Sequence, residues 1–126
     1  MSLDHTQMLQ EARQYTAAVK GMMKKQRFNN QSIVHIAALA AEQFMVGYLL
    51  SCGYMAKHHS LDFLIDEVLK FKKDLPDSLF DDMVFMEQFQ SWCSMECGEQ
   101  RIPSEEELGR MVNALMGLDV VLFPNA

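Results

Sequence analysis

One long apolar stretch, Ser32 to Cys52, limits what this chain can fold into more than any other feature. Its apolar side chains cover most of the circumference of a helix instead of forming one stripe, as expected for a helix inside a protein or a bilayer. The stretch is about long enough to span a membrane. However, Glu42 and Gln43 lie at its centre and His35 adds a third polar group, and a central carboxylate costs roughly 2.5–3.5 kcal/mol in a membrane. We therefore interpret it as the central helix of a soluble bundle, without membrane association.

Length and composition predict a single domain over residues 1–126. The chain is 49% hydrophobic and 22% charged, which is ordinary for a globular protein and sufficient for one sizeable core. We expect no secretion signal, because the first residues lack an apolar segment. The three cysteines are an odd number, which argues against a disulfide framework and favours the reducing cytoplasm.

Helical periodicity and capping signals predict four more helices around the central one. Ser32 or Asn30 is expected to cap the central helix and Gly53 to end it. The other predicted helices are helix 1 from about Leu3 to Gln26, helix 3 from a Ser60 cap to Leu75–Pro76, helix 4 from Asp77 or Ser78 to about Cys93, and helix 5 from the capping box Ser104–Glu107 to just before Pro124. Short loops between these helices predict an all-α, up-and-down bundle of four or five helices.

Charge is distributed unevenly along the chain, although the net charge is −6. No acidic residue lies between Glu11 and Glu42, whereas ten acids and only one base lie between Asp74 and Glu107. The basic patch of the first helix consists of Arg13, Lys20, Lys24, Lys25 and Arg27. Such asymmetry can steer a polyanion, or it can bring two faces of one bundle together. The acidic total opposes strong binding of nucleic acid.

Four polar residues are candidates for a ligand pocket, namely His35, Glu42, Gln43 and His59. We expect Glu42 to be largely buried, since it lies at the middle of the most apolar helix. A buried carboxylate must be paired, hydrogen-bonded or protonated. We favour a structural role for Glu42, and the alternative is that it lines a polar pocket with His35 and Gln43.

Cysteine and histidine spacing does not predict a metal site or a cofactor. Cys93 and Cys97 are four residues apart, but the third cysteine of an iron–sulfur motif and the further ligands of a zinc site are missing nearby. The neighbouring His58 and His59 are interpreted as a solvated or capping pair. The sequence also lacks a phosphate-binding glycine loop, a nucleophile elbow and a metalloprotease helix motif, so no catalytic residue is predicted.

The central region resembles the HEPN (higher-eukaryote and prokaryote nucleotide-binding) domains. The resemblance rests on H-x-x-A-x-A-A-E-Q at 35–43, Y-L-L at 48–50 and H-S-L at 59–61, where the family typically has A-A-E-K and then H-x-L. The helix that follows Pro103 is similar to the last helix of the family, so the resemblance extends from about Ile33 to Leu118. It implies a helical domain that often lies beside a small nucleotidyltransferase or regulates within a toxin–antitoxin-like pair.

Two departures from the family pattern bear on activity. Gln43 replaces the customary lysine and removes a cation from the region associated with nucleotide or RNA contact. Ribonuclease members carry R-x(4–6)-H near the final helix, and no arginine of this chain has a histidine at that spacing. The resemblance therefore implies a divergent, non-catalytic member.

Three functional hypotheses follow. The first is a non-catalytic, HEPN-like homodimer that binds or regulates a protein partner. In it, Phe28 and the surplus of Phe, Met and Trp on helix 4 form the dimer interface. The second is a nucleotide- or RNA-binding protein that uses the basic patch. The third is an enzyme with an unrecognised site around His35, Glu42 and His59.

Overall fold

A computed structural model describes residues 4–90 and 101–125. These residues form five α-helices and no β-strand: α1 (His5–Lys25), α2 (Asn30–Ser51), α3 (Leu61–Phe71), α4 (Asp77–Glu87) and α5 (Glu105–Leu122). The prediction of an all-α bundle is therefore confirmed. The predicted extension of helix 4 beyond Glu87 is wrong for residues 88–90, which form a turn because their N–H groups bond to carbonyls three residues back. The rest of that extension, including Cys93, and the pair Cys93–Cys97 fall outside the described residues.

The second helix is the hub of the bundle, because α2 packs against each of the other four helices. Around it, α1 contacts α5, α5 contacts α4, and α4 contacts α3. Its largest fully buried side chains are Phe44, Met45 and Leu49. Gly47 allows α1 to come close, since a Cβ atom there would lie 3.3 Å from Cβ of Met8.

Most sides of α2 are buried, as expected, and one side is open to solvent. Ser32, His35 and Leu39 are exposed, and Glu42 and Gln43 are partly exposed. By length and composition α2 could still span a membrane, and more than half of its most apolar window is buried inside the bundle.

Most helix ends agree with the capping signals, and the residue in the N-cap position differs from the prediction at one helix. The N-cap of α2 is Asn29, whose side chain accepts a hydrogen bond from Ser32 N, and neither Asn30 nor Ser32 takes that position. Gly53 follows α2 in the left-handed region with φ 80°, which costs a glycine little. The capping box at the start of α5 is present, because Ser104 and Glu107 exchange both of its hydrogen bonds.

Candidate functional site

A polar cleft lies where α2, the start of α3 and the end of α4 meet. Its volume is about 160 Å³, and it is lined by His35, Ala38, Leu39, Glu42, His59, Ser60, Leu61, Glu87 and Gln90. The cleft thus brings together three of the four candidates from the sequence, namely His35, Glu42 and His59. Gln43 does not line it.

Glu42 is paired with His59 across the cleft. The distance from Oε2 of Glu42 to Nδ1 of His59 is 3.0 Å, and the side chains are 32% and 48% exposed. The expectation that Glu42 is largely buried is therefore wrong, because the exposed side of α2 carries this residue. A pair as accessible to water as this contributes little to stability, typically about 0–1 kcal/mol.

Glu87 is the carboxylate of the cleft that caps a neighbouring helix. Its Oε1 accepts a hydrogen bond of 2.6 Å from Leu61 N at the first residue of α3. Ser60 occupies the N-cap position but makes no side-chain capping bond, so Glu87 supplies the capping acceptor from another helix. Anions are also favoured there by the helix dipole.

The environment of Glu87 disfavours its charge. Burial is the main cause that raises the pKa of the Glu87 carboxyl above its ordinary value, the hydrogen bond from Leu61 lowers it, and the charges of Asp62 and Glu42 raise it further. The cleft therefore holds two carboxylates that repel each other, one of which is partly desolvated.

The other two polar candidates of α2 make weaker contacts. Nδ1 of His35 lies 3.4 Å from Oε1 of Gln90, at the exposed edge of the cleft. Oε1 of Gln43 is buried and has no hydrogen-bond partner among the residues that the structure describes.

Sequence reasoning missed Glu87 and Gln90. Each lies four residues after a methionine of the inward stripe of α4, Met83 and Met86 respectively. Positions i and i+4 share one face of a helix, so polar residues that continue an apolar stripe are the signal that could have identified them.

Within 4–90 and 101–125 the structure contains no group of three or more His, Cys, Asp or Glu residues that could hold a metal ion.

The five members of the basic patch lie in different surroundings. Arg13 makes two hydrogen bonds of 2.9 and 2.8 Å to the carboxylate of Asp119 on α5, and this contact raises the pKa of the Arg13 guanidinium. Arg27 lies beyond the end of α1, where Gln26 turns into the left-handed region with φ 54°. Lys25 is exposed, and it does not line either of the two cavities that Lys20 borders.

Lys20 and Lys24 border an open channel between α1 and α5, which we call the α1–α5 groove. It consists of two adjoining cavities that share Lys20. One, of about 310 Å³, is lined by Arg13, Thr16, Ala17, Lys20, Phe44, Leu115, Met116, Asp119 and Val120. The other, of about 430 Å³, is lined by Lys20, Met23, Lys24, Gly109, Val112 and Asn113.

Comparison with known proteins does not identify the chain. No protein-family model, no curated protein and no solved structure matches it.

Proposed function

We propose that this chain is a non-catalytic, HEPN-like helical module of the cytoplasm that acts by binding other protein chains. In this proposal it forms a homodimer and regulates a partner, such as the small nucleotidyltransferase or the toxin–antitoxin-like counterpart that the resemblance implies. The residues at 35–43 and 59–61 support the resemblance, and the five-helix order is compatible with it.

The observation that carries the proposal is the α1–α5 groove. Met116 and Val120 are 47% and 69% exposed on its α5 side, four residues apart and therefore on one helix face. A single exposed apolar side chain needs no explanation, but neighbouring ones beside an open channel are typical of a surface that another chain covers.

Further exposed apolar side chains support a homodimer. Phe28, Val84 and Phe71 are each more than 40% exposed, and Phe80 and Phe85 on α4 are only partly buried. We expect size-exclusion chromatography with light scattering to show a dimer at tens of micromolar protein. A monomer over that concentration range would contradict the dimer part of the proposal.

Nucleotide or RNA binding is the second candidate function, because of Lys20 and Lys24. Both project from one side of α1, and no carboxylate of the described part of the chain forms an ion pair with either. The measurement is fluorescence anisotropy with a labelled single-stranded RNA over a range of salt concentrations. A dissociation constant that rises steeply with salt and depends on both lysines would favour this candidate.

The third hypothesis is a catalytic site formed by His35, Glu42 and His59. RNA cleavage is the activity to test, and our proposal expects none. We expect the purified protein to leave single-stranded and structured RNA intact, because the R-x(4–6)-H motif of the ribonuclease members is missing. Cleavage that persists through stringent purification and disappears in His59→Ala would overturn the non-catalytic assignment.

A further inference from the structure

The α1–α5 groove has the length of a short helix. Arg13 and Asp119 meet at one end, and Lys24 and Gly109 line the other end, so the two helices run antiparallel along the groove. The distance along α1 from Arg13 to Lys24 is about 16 Å at a rise of 1.5 Å per residue. This length corresponds to about three helical turns.

The floor and the α5 side of the groove are mainly apolar. Phe44 and Leu115 are fully buried beneath it, and Met116 and Val120 stand exposed along its edge. At Gly109 no atom lies within 4 Å of the place that a Cβ atom would occupy, so the backbone of α5 is open to a close approach there. An occupant that follows this side must therefore present apolar side chains at a helical repeat.

The α1 side of the groove is cationic. Lys20 and Lys24 have no ion-pair partner in the described chain, whereas Arg13 is neutralised by Asp119. Lysines that face an apolar wall complement an occupant whose apolar stripe is bordered by carboxylates.

The charge and the residue types of the groove argue against two other occupants. If the same groove of a second copy packed against this one, lysines would face lysines, and this repulsion is unfavourable. Proteins that bind single-stranded nucleic acid typically stack bases on exposed aromatic rings, and among the described residues that line the groove the only aromatic one, Phe44, is fully buried.

From these contacts we propose that the α1–α5 groove is the docking site for an amphipathic helix of a partner protein, about three turns long, with acidic side chains along one edge of its apolar stripe. The proposal rests on the function proposed above and specifies the chemistry of the partner. The apolar stripe packs on Met116 and Val120, and the carboxylates pair with Lys20 and Lys24.

The test uses a fluorescein-labelled peptide of roughly 16 residues, long enough to cover the groove as a helix. It carries Leu at i, i+4, i+7 and i+11 and Glu along one edge of that stripe, and a scrambled peptide of the same composition serves as its control. Fluorescence anisotropy with the full chain measures both affinities. The amphipathic peptide is expected to bind at least about tenfold more tightly than the scrambled one. Equal affinities would refute the proposal.

Two variants test the two sides of the groove separately. Lys20→Glu combined with Lys24→Glu reverses the cationic side, and Met116→Asp places a charge on the apolar side; each is expected to weaken peptide binding about tenfold or more. The matched control, Lys57→Glu with Lys73→Glu, changes two exposed lysines elsewhere and should leave the affinity unchanged. Thermal melts verify that each variant is folded. Unchanged affinity in both groove variants would refute the proposal.

Parallel measurements identify the other occupants. Binding of a twelve-nucleotide single-stranded RNA that needs both groove lysines but tolerates Met116→Asp, together with no peptide binding, would assign the groove to nucleic acid. Loss of the dimer in Met116→Asp would assign it to a second copy. A dimer that persists in both groove variants while the peptide fails to bind would refute this inference but leave the proposed function standing. A monomer that binds the peptide through the groove would support the inference and contradict only the dimer.

Discussion

Replacing Glu87 tests whether its hydrogen bond to the first residue of α3 stabilises the contact between α3 and α4. In Glu87→Ala the N–H group of Leu61 loses the carboxylate that accepts its hydrogen bond at 2.6 Å. Loss of a capping acceptor costs about 0.5–2 kcal/mol, and the side chain of Ser60 makes no capping bond that would compensate. We therefore expect Glu87→Ala to lower the free energy of unfolding by about 1–2 kcal/mol at pH 7.

Glu87→Gln separates the hydrogen bond from the charge. The amide oxygen can still accept from Leu61, while the charge that burial and Glu42 disfavour is removed. The two changes oppose each other, since a neutral acceptor is weaker but carries no charge-desolvation cost. We expect the free energy of unfolding of Glu87→Gln to stay within about 1 kcal/mol of wild type.

The raised pKa of Glu87 also predicts a pH dependence. An acid whose pKa is higher in the folded state than in the unfolded state favours folding most below its ordinary pKa, which is 4.5 here. That contribution is lost as the pH rises through the folded-state pKa. The stability of Glu87→Gln relative to wild type should therefore increase between pH 4 and pH 7.

Urea denaturation followed by circular dichroism at several pH values measures these differences. Asp81→Ala is the matched control, because Asp81 is an exposed acid on the same helix, and it should change stability by no more than about 0.5 kcal/mol. If Glu87→Ala is as stable as wild type, the hydrogen bond to Leu61 does not support α3. If Glu87→Gln loses as much stability as Glu87→Ala, the charge and not the acceptor is what matters.

Two further predictions concern α5 and α2. Gly109→Ala should stabilise the protein by up to about 1 kcal/mol through helix propensity, because the space around Gly109 is open. Gly117→Ala should stabilise it less, since the new Cβ atom would lie 3.0 Å from Cδ2 of Leu79. Thermal melts compare the two variants, and equal gains would contradict the close packing at Gly117. Glu42→Gln should change the free energy of unfolding by less than about 1 kcal/mol, because its pair with His59 is accessible to water, and a larger loss in urea denaturation would show that this pair is structurally important.

Part of the candidate site could be predicted from the sequence, and part could not. The polar residues His35, Glu42 and His59 stand out against an apolar helix and at a helix start, so their chemistry is visible in the pattern. Their partners are not visible, because Glu87 and Gln90 are brought to the cleft by the packing of α4, more than forty residues after Glu42 along the chain. The partial exposure of Glu42 depends equally on which side of α2 the other helices leave open.

The sequence alone determined the helical class, most of the helix ends and the position of α2 at the centre. These features depend on the periodicity, the capping side chains and the apolar content of each helix, all of which are set by residues close together in the sequence. Tertiary structure alone decided which cations of α1 are neutralised: Arg13 meets Asp119 across two helices, while Lys20 and Lys24 border an open groove. Such pairings depend on how helices distant in sequence approach each other, and a pattern within one helix does not contain that information.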